Sequence, residues 1–210
     1  MSGNCCHHAR FDGASEDYKR RLWLVIAINA LMFVIEMTAG HFAQSQALQA
    51  DALDFLGDAL TYGLSLAVIG SSITVRSNAA LFKGISLLLL GTWVLGSTVY
   101  QVFYGGVPTA EIMGWIGLLA LAANCTSVLL LMSYKDGDAN VRSVWLCSRN
   151  DAIGNIAVMI AALGVWGTAS GWPDLLVAGI MASLFLSSAI QIIKQALDEK
   201  RGAGEHSLSS

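Results

Sequence analysis

Six apolar runs dominate the chain, each separated from the next by a short polar connection. A window of about 19 residues places them near 22–42, 44–69, 82–104, 109–132, 143–166 and 173–195. At ~1.5 Å rise per residue, each is long enough to cross a hydrocarbon core of ~30 Å. The connections "RSNA", "GGVP", "KDGDAN" and "GWPD" carry turn-forming Gly, Pro, Asn and Asp. Pro108 and Pro173 fall at predicted helix starts, where a missing N–H costs nothing. The pattern predicts an all-α, six-helix transmembrane bundle. It divides the chain into a tail at 1–20, a membrane domain at 21–196 and a short polar tail at 197–210. No internal repeat is evident.

Composition supports the membrane reading. Of 210 residues, 55% are hydrophobic and 13% charged, where a soluble domain carries roughly a quarter charged residues. The first twenty residues are mostly polar, so the N-terminus does not read as a cleavable signal. Basic residues set the orientation. Arg10, Lys19, Arg20 and Arg21 precede the first segment, Arg76 and Lys83 lie between the second and third, Lys135 and Arg142 flank the fourth connection, and Lys194, Lys200 and Arg201 follow the sixth. The connections "HFAQ", "YGGVPT" and "GTASGW" have none. Both termini are therefore expected in the cytoplasm, the protein being multi-pass in the plasma (inner) membrane.

The second segment breaks the apolar rule. In "QALQADALDFLGDALTYGLSLAVIGSS", Asp51, Asp54 and Asp58 recur at i, i+3 and i+7, which puts them on one helical face. Asp54 lies about 15 Å into a helix starting near Gln44, close to mid-bilayer. Intramembrane acids ordinarily mark an ion path or a proton relay. The fifth segment offers a complement, because Cys147 and Asp151 are i and i+4 and Asp151 reaches the same ~15 Å depth. Asp54, Asp58, Cys147 and Asp151 together supply four donors to one divalent ion of the Zn²⁺ or Cd²⁺ type. Asp51 and Asn155, one turn beyond Asp151, are accessory candidates.

These stretches carry a family resemblance. "AGHFAQSQALQADALDFLGDALTYGLSL" resembles the second helix of the cation diffusion facilitators, and "DANVRSVWLCSRNDAIGNIAVMIAAL" resembles their fifth. "WPDLLVAGIMASLFLSSAIQIIKQAL" resembles the sixth, and the likeness spans 20–198. The resemblance implies a metal-ion/proton antiporter that exports divalent cations from the cytoplasm, generally as a homodimer. It also maps the family's four site positions onto Asp54, Asp58, Cys147 and Asp151. The family commonly has His where Cys147 stands, and in many members at Asp54 too. Three carboxylates and a thiol make a softer, more anionic site, which keeps Cd²⁺ prominent beside Zn²⁺ and leaves Co²⁺, Fe²⁺ and Mn²⁺ open. The family's usual C-terminal cytoplasmic domain has no counterpart in this sequence, so a short member is expected.

Remaining polar residues are read as follows. Glu36 is either a protonated packing group or part of a proton path. Asn29, Asn124 and Asn155 are expected to bond between helices, and Arg149 to reach the cytoplasmic side or pair with Asp51. His41 and Gln44 lie at the outer end. Gly57, Gly63 and Gly154 allow close helix approach. Cys5, Cys6, His7 and His8 form a vicinal "CCHH" that can capture soft ions from a cytoplasmic arm. Disulfides are not indicated for a reduced tail and intramembrane Cys125 and Cys147. No phosphate loop or catalytic triad occurs, so neither ATP, a cofactor nor enzyme activity is expected. A net charge of −3 offers nothing to nucleic acid. Two other readings stand beside antiport: a proton-coupled exporter of a small molecule, and a membrane adaptor that transports nothing.

Overall fold

The computed structural model describes residues 15–67, 73–134 and 139–208. It consists of six α-helices: α1 (Glu16–Ala43), α2 (Gln46–Ala67), α3 (Ile73–Tyr104), α4 (Ala110–Leu131), α5 (Ala139–Thr168) and α6 (Trp172–Leu208), with a 3-10 turn at Met132–Tyr134. Five of them contain stretches long and apolar enough to cross a membrane. The sixth is α2, whose three aspartates interrupt its apolar run.

Three helices extend beyond the runs expected from hydropathy. α1 begins at Glu16, where the Ser15 hydroxyl accepts the Tyr18 N–H at 3.2 Å and Glu16 and Asp17 oppose the positive helix end. α3 starts at Ile73, and α6 runs to Leu208 through the segment read as a polar tail. Lys200 of that extension donates to Asn78 of α3 at 3.0 Å. A hydropathy window reports solubility in lipid, whereas helix propagation needs only residues that tolerate helical dihedrals.

Each helix turns a polar-containing stripe inward and an apolar face outward. On α1 the buried residues are Tyr18, Leu22, Val25, Asn29, Met32, Glu36, Gly40 and Ala43, at alternating steps of three and four. Outside lie Trp23, Leu31, Phe82, Leu89, Trp115, Leu163, Trp166 and Leu184, all largely exposed. This inversion of a soluble protein's arrangement suits a bilayer as solvent.

Packing groups α1 with α2 and α4, α4 with α5, and α3 with α6. Gly84 shows how close α3 and α6 run, since a Cβ there would sit 2.7 Å from Ile193. Gly40 does the same for α1 and α2: a Cβ would meet Gln49 Cγ at 3.0 Å and the Gln49 amide nitrogen at 3.1 Å. The α1–α2 turn is correspondingly tight. Gln44 takes a left-handed conformation (φ 55°), and the Ser45 N–H bonds back to the Gly40 carbonyl at 2.9 Å. Gly63, by contrast, approaches nothing within 4 Å; it borders a groove of about 250 Å³ with Lys19, Trp23, Leu66 and Ala67.

Candidate metal centre

α2 and α5 bring two of the expected ligands together. The carboxyl of Asp58 and that of Asp151 meet at hydrogen-bonding range across the two helices. Asp54 stands within Coulombic reach of Asp58 and Asp51, and Asp151 within reach of all three α2 aspartates. Two carboxyls can close on each other in this way only around a shared proton or a cation. Matched depth pairs Asp151 with Asp54; the structure brings it to Asp58, one turn further along the same stripe.

Among the described residues, the donors around this pair are few. The Tyr62 hydroxyl, one turn along α2, donates to Asp58 Oδ2 at 2.5 Å. Lys83 of α3 contributes positive potential to Asp58 and donates through Nζ to Thr61 Oγ1. Neither Tyr62 nor Lys83 was singled out as a site residue from sequence. The i, i+4 spacing of Asp58 and Tyr62 was the available signal.

Cys147 lies on α5, but its side chain falls outside the described residues, as does that of Arg149. Cys5, Cys6, His7 and His8 also lie outside them. Among the described residues, no three His, Cys, Asp or Glu side chains converge closely enough to hold a metal ion.

The accessory residues take definite positions. Asp51 is 1% exposed and faces Glu36 of α1, with the two carboxyls at hydrogen-bonding range. Asn155 is fully buried on α5. Asn29 departs from the interhelical role expected of it: its amide donates to the Val25 carbonyl of its own helix at 2.8 Å. Satisfying a polar group within one helix needs no partner element, and Asn at i+4 can reach that carbonyl. His41 and Gln44 are exposed at the α1–α2 turn, where Gln101 of α3 donates to the Gln44 carbonyl at 2.5 Å.

One residue that sequence reasoning passed over organises the start of α2. Asp174, in the first turn of α6, is completely buried. It accepts from Ser45 Oγ at 2.6 Å, from the Gln46 N–H at 2.8 Å and from the Ala47 N–H at 3.1 Å. Ser45 Oγ in turn accepts the Leu48 N–H at 3.1 Å. A carboxylate from α6 therefore caps α2, satisfying amides that no intrahelical carbonyl can reach and complementing the helix dipole. Gln46 Oε1 also receives Ser97 Oγ of α3 at 2.7 Å, and the Thr109 N–H donates to the Ala43 carbonyl at 3.0 Å. The helix that carries the aspartates is thus anchored at its first residues by α6 and α3, and the end of α1 just before it is tied to Thr109.

Comparison with known proteins identifies the family. The chain is 24% identical over 208 residues to the cadmium, cobalt and zinc/H(+)-K(+) antiporter of Bacillus subtilis, covering 90% of this chain and 65% of that protein. It is 22% identical over 211 residues to the metal cation efflux system protein CzcD of Cupriavidus metallidurans, covering 89% and 64%. With the zinc transporter ZitB of Escherichia coli it shares 25% over 195 residues, covering 86% and 62%. The chain therefore spans just under two thirds of the length of these relatives. The cation efflux transmembrane domain family matches residues 22–199, and five helices are apolar enough to span a bilayer. A chain of apolar helices around intramembrane carboxylates, matched over most of its length, belongs to the cation efflux family of multi-pass membrane transporters.

Proposed function

We propose that this protein exports divalent metal cations across the inner membrane in exchange for protons. Asp54, Asp58, Cys147 and Asp151 are its ion ligands, with Asp51 and Asn155 beside them. The observation that carries the reading is the meeting of Asp58 and Asp151 between α2 and α5, with Asp54 in their field. Bringing a divalent ion between these carboxyls requires that they lose their protons, so binding metal and releasing protons are one event. If α2 and α5 separate first toward one side and then the other, metal leaves as protons return. The relatives named for cadmium, cobalt, zinc and metal cation transport support the cargo class. A homodimer, and an orientation with both termini in the cytoplasm, complete the proposal. The Cys5–Cys6–His7–His8 segment is an arm that collects ions without being needed for turnover.

Metal-driven proton flux in proteoliposomes tests it. Wild type should move protons against Zn²⁺ or Cd²⁺, and Asp58→Ala and Asp151→Ala should fall to the protein-free background. Wild-type rates in either variant would sink the four-ligand site. Metal choice is tested at the thiol. Cys147→His should shift relative transport from Cd²⁺ toward Zn²⁺, because thiolate suits softer ions and imidazole suits zinc. Unchanged metal ratios would make Cys147 a packing residue.

A further inference from the structure

Among the described residues, five buried side-chain atoms lack any hydrogen-bond partner: both oxygens of Glu36, Oδ2 of Asp51, and both amide atoms of Asn155. They belong to three residues on three helices, α1, α2 and α5, and each residue is at most 1% exposed. Leaving a buried polar atom unsatisfied costs about 1–3 kcal/mol, more for charged groups. Native structures carry few of them, and each calls for a reason.

Their placement supplies one. Glu36 and Asp51 face each other at hydrogen-bonding range with no donor between them. On the other side of Asp51 runs α5. A Cβ built at Gly154 would lie 4.0 Å from Asp51 Oδ1, so the α5 backbone passes that carboxylate with no side chain intervening. Asn155 is the next residue. Asp51 precedes Asp54 by three residues, about 4.5 Å along the α2 axis toward the α1–α2 turn. The Glu36–Asp51 pair is therefore distinct from the Asp58–Asp151 pair, and displaced from it along the bundle.

We infer that Glu36, Asp51 and Asn155 form a second cation subsite, made only of oxygen donors, on the α1–α2-turn side of the four-ligand centre. Two carboxylates balance the charge of a divalent ion, and the amide oxygen adds a third donor. Oxygen-only sets favour hard ions such as Mn²⁺, whereas the centre containing Cys147 favours softer ones. The inference rests on the export reading for its cargo: an ion leaving the thiolate-containing centre toward the turns meets this set next.

Counting ions on the full-length protein in lipid nanodiscs tests it, with Mn²⁺ measured by equilibrium dialysis. Cd²⁺ at the four-ligand centre is followed separately through the ultraviolet band of a cadmium thiolate, with Cys5→Ser and Cys6→Ser in every sample so that the band reports Cys147. Glu36→Gln and Asp51→Asn should each remove one Mn²⁺ ion per chain and leave the Cd²⁺ band intact. Asn155→Ala, which keeps both carboxylates, should weaken that Mn²⁺ ion about tenfold. Asp151→Asn should lose the Cd²⁺ band yet keep the Glu36-dependent Mn²⁺ ion. Equal Mn²⁺ counts in wild type and Glu36→Gln would overturn the subsite and leave the pair as a proton bridge. A wild type without the Cd²⁺ band that still binds a Glu36-dependent ion would support the subsite while removing the four-ligand reading.

Discussion

Asp174 and Glu36 are both completely buried acids in an apolar bundle, yet their surroundings are opposite. Asp174 receives a hydroxyl and two backbone amides within 3.1 Å. Glu36 receives no hydroxyl and no amide, and the group it faces is another carboxyl. Burial alone does not separate structure from function here; the supply of donors does. An acid whose lone pairs are filled by the protein is part of the scaffold. One that meets only another carboxyl lacks that scaffold, and it is there that the cation subsite is proposed.

The contrast can be broken by substitution. Asp174→Ala leaves the Ser45 hydroxyl and two amides buried without an acceptor, and should cost about 3 kcal/mol. Asp174→Asn, which retains one carbonyl acceptor, should cost less. Thermal unfolding in detergent measures both. If Asp174→Ala melts with wild type, the capping carboxylate holds nothing.

Tyr62→Phe probes an intermediate case, because Asp58 has one donor on its own helix. Loss of that bond should cost about 1 kcal/mol of stability. It should also weaken metal binding about tenfold, as removing a group that orients a ligand commonly does. Calorimetric titration of Zn²⁺ or Cd²⁺ reads the second effect. An unchanged affinity would mean that the tyrosine orients nothing.

The smallest change is expected at Glu36. Glu36→Gln removes no donor and supplies an amide that can reach Asp51, so stability should stay within about 0.5 kcal/mol of wild type or rise. A loss as large as that of Asp174→Ala would erase the distinction between the two acids.

Much of this was legible in the chain. Six apolar runs marked six helices, and the spacing of Asp51, Asp54 and Asp58 placed them on one face, with Asp151 at the depth of Asp54; its hydrogen-bonding partner is Asp58, one turn further along α2. What escaped depended on contacts distant in sequence. Asp174 bonds to residues 127–129 positions away, and nothing local distinguishes it from an ordinary acid in a first helical turn. Glu36 was recognisable as an intramembrane acid, but its partner was not. Arg149, expected to reach the cytoplasmic side or to pair with Asp51, has its side chain outside the described residues; the neighbour that the structure does show for Asp51 is Glu36. The polar ends of α1, α3 and α6 were missed because they are helical without being apolar.

The tight α1–α2 turn bears on how the chain enters a membrane at all. An Asp near the bilayer centre opposes insertion by about 2.5–3.5 kcal/mol, and α2 carries three aspartates in eight residues. Such a segment is a poor candidate for partitioning alone. α1 is among the most apolar spans of the chain, and it is joined to α2 through the two residues Gln44 and Ser45. With Gly40 admitting Gln49 against the α1 backbone, the two helices can cross as a preassembled hairpin, α1 lending the hydrophobicity that α2 lacks. Biogenesis then favours the same close pairing that later sets Glu36 beside Asp51, and lengthening the turn should impair membrane integration before it impairs transport.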